Sequence, residues 1–320
     1  MRKLTDVHVH LAALPTPQNG CRVSRRLLGG PVGRLVSRDM GLPLDQPEQA
    51  SLLYLERLRA ELLGSARVGR AVLLGMDGAY DESGRLDEEH TDFLIGNDYV
   101  LECSARAPAL FLAGVSVNPQ RRDALDELER CAARGAALVK VLANSQRFDP
   151  ALPRYRPFYK VMARLKLPLL AHVGFEFSLI GHDQSVGDLG RLVPALEEGV
   201  TVIAAHGCST GLFFAEKHWA LMGELVRRFP RFYADVSALT LFNRVGQLLR
   251  IARHPELFGR LLFGTDYPLP VYSYPCLLAG AGGAWAASRA AANRFDRQVL
   301  VLEALGVELR ADFADLAGGR

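Results

Sequence analysis

Long apolar runs, a patterned cysteine set and a strong excess of one charge are all missing from this sequence, and each absence removes a class of protein. No continuously apolar run reaches the roughly 18 residues of a membrane-spanning helix. The opening Met-Arg-Lys-Leu-Thr-Asp has no apolar core of a secretory signal. The five cysteines (Cys21, Cys103, Cys131, Cys208 and Cys276) are scattered and form no CxxC pair. Reduced thiols in a cytoplasmic compartment are therefore expected rather than a disulfide framework. A net charge of +3 is too small to argue for nucleic acid, and no aromatic residues interleave with the basic ones to stack bases. The expectation is a cytoplasmic protein with neither nucleic acid nor membrane as partner.

What is present is the alternation of an α/β chain. The 320 residues are 49% hydrophobic, enough for a large core, and match the usual length of one (β/α)8 TIM barrel. Strand-like runs occur at 3–8, 68–75, 110–117, 136–142, 167–172, 200–206, 231–237 and 260–264. Helical patterns lie between them at 52–63, 123–134, 155–165, 189–198, 219–229 and 244–253. No glycine-rich dinucleotide fingerprint follows the first strand, so closure into a barrel is preferred over an open nucleotide-binding sheet. Residues 1–320 read as one domain. The stretch from Leu11 to Gln49, punctuated by Pro15, Pro17, Gly29, Gly30, Pro31, Gly33, Gly41, Pro43 and Pro47, reads as a long irregular loop. Placed after the first barrel strand, it is expected to form a lid over the active face.

The chemistry is expected at the strand ends. In Asp6-Val-His-Val-His10 alternate residues face the same way, so His8 and His10 form a ready pair of ligands for zinc or a similar ion. An HxH pair alone is more often surface or core than metal site. Here His172 and His206 end the fifth and sixth strand-like runs, and Asp266 closes the eighth. Five such groups converge on the C-terminal rim of a barrel, where catalytic residues lie.

These pieces, with Ala137-Leu-Val-Lys140, Leu170-Ala-His172, Ala205-His-Gly207, Tyr233-Ala-Asp-Val-Ser237 and Phe263-Gly-Thr-Asp-Tyr-Pro268, resemble the amidohydrolase superfamily. The resemblance is to its amidohydrolase-related branch, which includes aminocarboxymuconate semialdehyde decarboxylase and several lactone hydrolases. It implies a divalent metal, one zinc ion being preferred over manganese, held by His8, His10, His172 and Asp266. It also implies catalytic roles for Asp266, as proton acceptor, and for His206, as general base, substrate polariser or ligand of a second metal. Lys140 stands where some relatives carry a carboxylated lysine bridging two metals; it can equally bind an anionic substrate or pair with Asp235. Asp235 and Ser237 either orient a metal-bound histidine or make structural hydrogen bonds. His90, His182, His218 and His254 read as surface residues, with His182 keeping a chance of touching substrate. Relatives of this kind are often homodimers, and a homodimer is possible here. The glycines at 280–283 and 317–320 depart from the family's usual closing helix.

The lid segment carries Arg22, Arg25, Arg26, Arg34 and Arg38 without an acidic residue between Cys21 and Arg38, and Arg147 follows the fourth strand. Over a metal these guanidinium groups would draw a carboxylate or phosphate; a solvated basic loop or a subunit contact accounts for them equally well. Phe175, Phe177, Trp219, Tyr267 and Tyr272 are candidates for an apolar wall, or for packing. The leading expectation is a hydrolase of a small anionic ester, lactone or amide using metal-activated water. The alternative is a decarboxylase of an unsaturated or aromatic carboxylate, and a third reading is a barrel that binds without catalysis.

Overall fold

The structure, a computed structural model, describes residues 3–181, 183–213, 215–309 and 311–317. Eight parallel strands follow one another in chain order around one sheet. They are β1 (Leu4–His10), β2 (Val68–Leu74), β3 (Phe111–Ser116), β4 (Ala136–Val141), β5 (Leu169–Ala171), β6 (Val202–Ala204), β7 (Phe232–Asp235) and β8 (Leu261–Leu262). Parallel neighbours need crossover connections, and helices supply them. Backbone bonds from Val7 to Phe263, from Asp266 to His8 and from His10 to Tyr267 bridge the first and last strands. The result is the expected barrel. The strands are buried on both faces, which is why they read as near-continuous apolar runs.

Alternation along each strand splits the core in two. Val72, Leu112, Leu170, Ile203 and Leu262 fill the barrel interior, where Phe313 packs against them. Their neighbours in sequence, such as Leu73, Ala113, Leu169 and Val202, join the outer layer with the helices. β1 breaks this alternation once. Asp6 pairs with Ala71 and Val9 with Leu73, so β1 advances three residues while β2 advances two. The bulge places both Val7 and His8 on the interior side before alternation resumes at His10, and such irregularities favour active-site rims.

The segment after β1 departs from expectation. Instead of a long irregular loop it holds α1 (Arg25–Gly29) and α2 (Pro31–Asp39), followed by α3 (Pro47–Gly64). Pro31 occupies the first turn of α2, where its missing N–H costs nothing. Gly33 lets the two short helices cross: a Cβ there would lie 2.2 Å from the carbonyl oxygen of Leu27. Three further helices, Asn97–Ala105, Gly282–Ala290 and Arg294–Ala304, also fall outside the helical patterns read from the sequence. Among the described residues no helix is long and apolar enough to cross a membrane, and the five cysteines are free and buried.

Candidate metal centre

Strand ends bring the histidines together. The His8 ring stands 5.1 Å from that of His10 and stacks at 5.0 Å on that of His206, which meets His172 edge-on at 5.0 Å. Asp266 reaches in from the end of β8, its Oδ1 lying 3.1 Å from His10 Nε2 and 3.4 Å from His8 Nε2. The donor atoms of His8, His10 and Asp266 all lie within 4.8 Å of one another, a group able to hold a metal ion. His172 lies outside this tight trio; its Nδ1 is instead 3.2 Å from His206 Nε2.

The supporting bonds decide which nitrogen each ring offers. His8 Nδ1 is 2.8 Å from Asp235 Oδ2, which leaves Nε2 facing Asp266. A carboxylate behind a ligating histidine fixes the tautomer in this way. Of the two roles open to Asp235, the geometry therefore supports orientation. Its other oxygen accepts from the His206 and Ser237 backbone N–H groups and from Ser237 Oγ, and Ser237 Oγ lies 2.8 Å from His206 Nδ1. Asp6 ties the rim together from outside the barrel by accepting from His8 N, Thr265 N and Thr265 Oγ1.

Charge states suit a cation. Burial lowers the pKa of His8, the charge of Lys140 adding to it. Burial and then the charge of Arg244 depress His172 and His206 well below the usual imidazole range. Burial pushes Asp266 up, but His8 and the bond from His10 outweigh it and hold the carboxyl well below its ordinary value. Neutral imidazoles and an ionised carboxylate are the forms that ligate. The donor set fits a divalent metal. His206 and Asp266 also carry left-handed backbone, with φ of 58° and 65°, an uncommon conformation for such residues that gathers at functional sites.

Lys140 is buried, and its Nζ lies 3.1 Å from His8 Nε2. Its bonded neighbour is thus a histidine of the candidate metal trio, not Asp235. Burial lowers its pKa to about 8. The arginines are elsewhere. Arg22 pairs with Glu88, Arg26 with Asp92, and Arg147 lies 3.7 Å from Asp87; Arg25 is exposed. The cavity that opens on His10 and Asp266 is lined by none of these four arginines and by none of the five aromatics singled out above. Tyr267 instead packs edge-on to Tyr54 and flat on Phe295. His218 is buried rather than exposed, its ring bonded to the carbonyl of Cys208; His182 lies outside the described residues.

Three contributors were not anticipated. Glu176, four residues after His172, lines the cavity and brings Oε2 to 4.0 Å from His172 Nε2. Tyr54 of α3 donates to the carbonyl of His10. Arg244, buried and donating to Ser209 O, sets a positive charge near His172 and His206. The spacing of Glu176 from His172 was the one available signal; the other two come from segments distant in sequence, Tyr54 from α3 and Arg244 from the turn before a later helix.

Comparison with known proteins identifies the architecture. The amidohydrolase family model matches residues 5–294. The chain belongs to the amidohydrolase family. That family includes both hydrolases and decarboxylases, and its members are metal-dependent enzymes. An uncharacterised TIM-barrel protein from Bordetella bronchiseptica is 18% identical, with 99% of this chain and 100% of that one covered at a TM-score of 0.60. A 2,6-dihydroxybenzoate decarboxylase bound to 2,6-dihydroxybenzoate is 17% identical over 99% and 98% of the two chains, with a TM-score of 0.53. A protein from Pseudomonas putida assigned as a 2-pyrone-4,6-dicarboxylic acid hydrolase is 15% identical over 99% and 98%, with a TM-score of 0.54. At these identities the likeness is one of fold. No curated protein sequence matches the chain.

Proposed function

We propose that this family member is a metal-dependent hydrolase of a small ester, lactone or amide. The observation that carries the reading is the cavity floor. There the Asp266 carboxylate lies beside His8 and His10, and no lysine or arginine among the described residues lines the space above it. A divalent ion, zinc in preference to manganese given two imidazoles and a carboxylate, supplies a Lewis acid that polarises a carbonyl and brings the pKa of water to about 7. His8 and His10 would hold that ion, His8 through a nitrogen that Asp235 orients from behind, with His172 completing the set. Asp266 accepts the proton of the attacking water. His206, neutral and steadied at Nδ1 by Ser237, polarises the substrate or returns the proton to the leaving group. One ion per chain is the preferred stoichiometry, with Lys140 beside it rather than bridging a pair.

Decarboxylation of an unsaturated or aromatic carboxylate is the second reading. It draws on Lys140 and Arg244, two buried cations whose charges bear on the histidines and which can anchor a carboxylate. Incubating the zinc- or manganese-loaded protein with neutral esters, lactones and amides, and separately with aromatic carboxylates, tests the choice. Acid release from the neutral set supports hydrolysis. Release of CO2 from the carboxylates alone would replace it with the lyase. Failure to bind metal, together with no turnover of either set, would leave a binding barrel.

A further inference from the structure

We propose that the part of the substrate remote from the reacting bond is an apolar chain or ring, seated in the cavity between α1, α2 and the mouth of the barrel. The reacting end rests on the hydrolase reading; the apolar tail rests on the cavity alone.

The cavity measures about 210 Å³ and reaches His10 and Asp266 at its floor. That exceeds the roughly 150 Å³ of an apolar cavity that takes up benzene. Its walls include Leu27, Leu28, Val32, Val36, Leu42 and Leu179. Neither α1 nor α2 fully buries a single residue, and their lining side chains are half-buried. Apolar surface left in water costs about 25 cal/mol per Å², so an apolar occupant is stabilised by covering it.

Amphipathic geometry explains why the basic segment makes an apolar wall. Val32 and Val36 are one helical turn apart and share a face. Arg34 and Arg38, equally one turn apart, are exposed, as are Arg25 and Arg26. The polar groups the cavity does contain include the carboxylates of Asp266 and Glu176, which repel an anionic tail. A neutral hydrocarbon group is the occupant that meets both walls and floor without a charge conflict.

The test separates tail from chemistry. Binding of n-alkanols from butanol to decanol to the zinc-loaded protein is measured by calorimetry, and kcat/KM is measured on p-nitrophenyl esters of the matching acids. Affinity is expected to rise about fourfold per methylene until the cavity is full. Val36→Asp removes that dependence, and Val32→Trp shifts the limit to shorter chains. Both positions are half-buried; Val36 packs on the edge of the core and Val32 does not, so Val32→Trp keeps the test decisive if Val36→Asp lowers the melting temperature. Chain-dependent alkanol binding without ester turnover would uphold the apolar site while removing esters from the hydrolase reading. Turnover that ignores chain length, or alkanol binding untouched by Val36→Asp, would overturn the tail assignment.

Discussion

Replacing Asp235 with asparagine tests whether this carboxylate sets the ligating nitrogen of His8. In the native arrangement Oδ2 lies 2.8 Å from His8 Nδ1, while Oδ1 accepts from two backbone N–H groups and a hydroxyl. Asparagine keeps an oxygen for the Oδ1 donors and turns an amide NH2 toward His8. The imidazole must then accept at Nδ1 and carry its proton on Nε2, the atom that faces Asp266. Loss of such a partner lowers metal affinity by about 10- to 100-fold, or about 1.4 to 2.7 kcal/mol. Asp235→Ala strips all of these donors of their acceptor and is expected to cost the metal-free fold on the order of 3 kcal/mol as well. Competition against a chromophoric chelator reads affinity, and thermal unfolding of the metal-free proteins reads stability. An Asp235→Asn protein that folds normally and binds zinc as tightly as the wild type would refute the argument.

Lys140 gives a pH signature. Its folded pKa of about 8 lies below the ordinary 10.5, so the unfolded chain binds its proton more readily. Its contribution to stability is full above pH 10.5 and is lost as pH falls towards 8, an effect on the order of 3 kcal/mol; the wild-type minus Lys140→Met difference in metal-free unfolding should show it, and a flat difference contradicts it. By elemental analysis Lys140→Ala is expected to retain one metal per chain and His8→Ala to lose it, whereas two metals falling to one in Lys140→Ala would establish a lysine-dependent second ion. Gly33→Ala drives a methyl into the backbone of α1 and should cost about 1–3 kcal/mol and speed proteolysis between residues 25 and 39; unchanged melting and cleavage would show that the crossing is not tight.

The barrel and the strand-end groups were legible because both obey short-range rules. A parallel strand buried on two faces reads as an apolar run, and a polar residue that ends such a run is exposed to the rim. His8, His10, His172, His206 and Asp266 all follow that rule, although the bulge in β1 that orients His8 left no trace in the spacing. The α1–α2 hairpin was hidden by the very residues that shape it. Gly29, Gly30, Pro31 and Gly33 resemble loop punctuation, but Pro31 starts a helix and Gly33 permits a crossing. The arginines misled for a different reason. Glu88 and Asp92, which engage Arg22 and Arg26, lie more than sixty residues away, and only the fold brings them together.

The division of labour along the chain has a practical consequence. Every residue of the metal trio comes from the paired ends of β1 and β8, whereas much of the apolar wall comes from one insertion between β1 and α3. That insertion contributes no strand to the barrel and is fastened at Asp92, which receives Ser24 and Arg26 from one side and the backbone of Ile180 from the other. Under the proposed reading, selectivity and reactivity would be written in separate passages of sequence. The proposal then predicts that a transplanted hairpin preserving the Asp92 fastening recuts the shape of the accepted molecule while the candidate metal rim stays as it is.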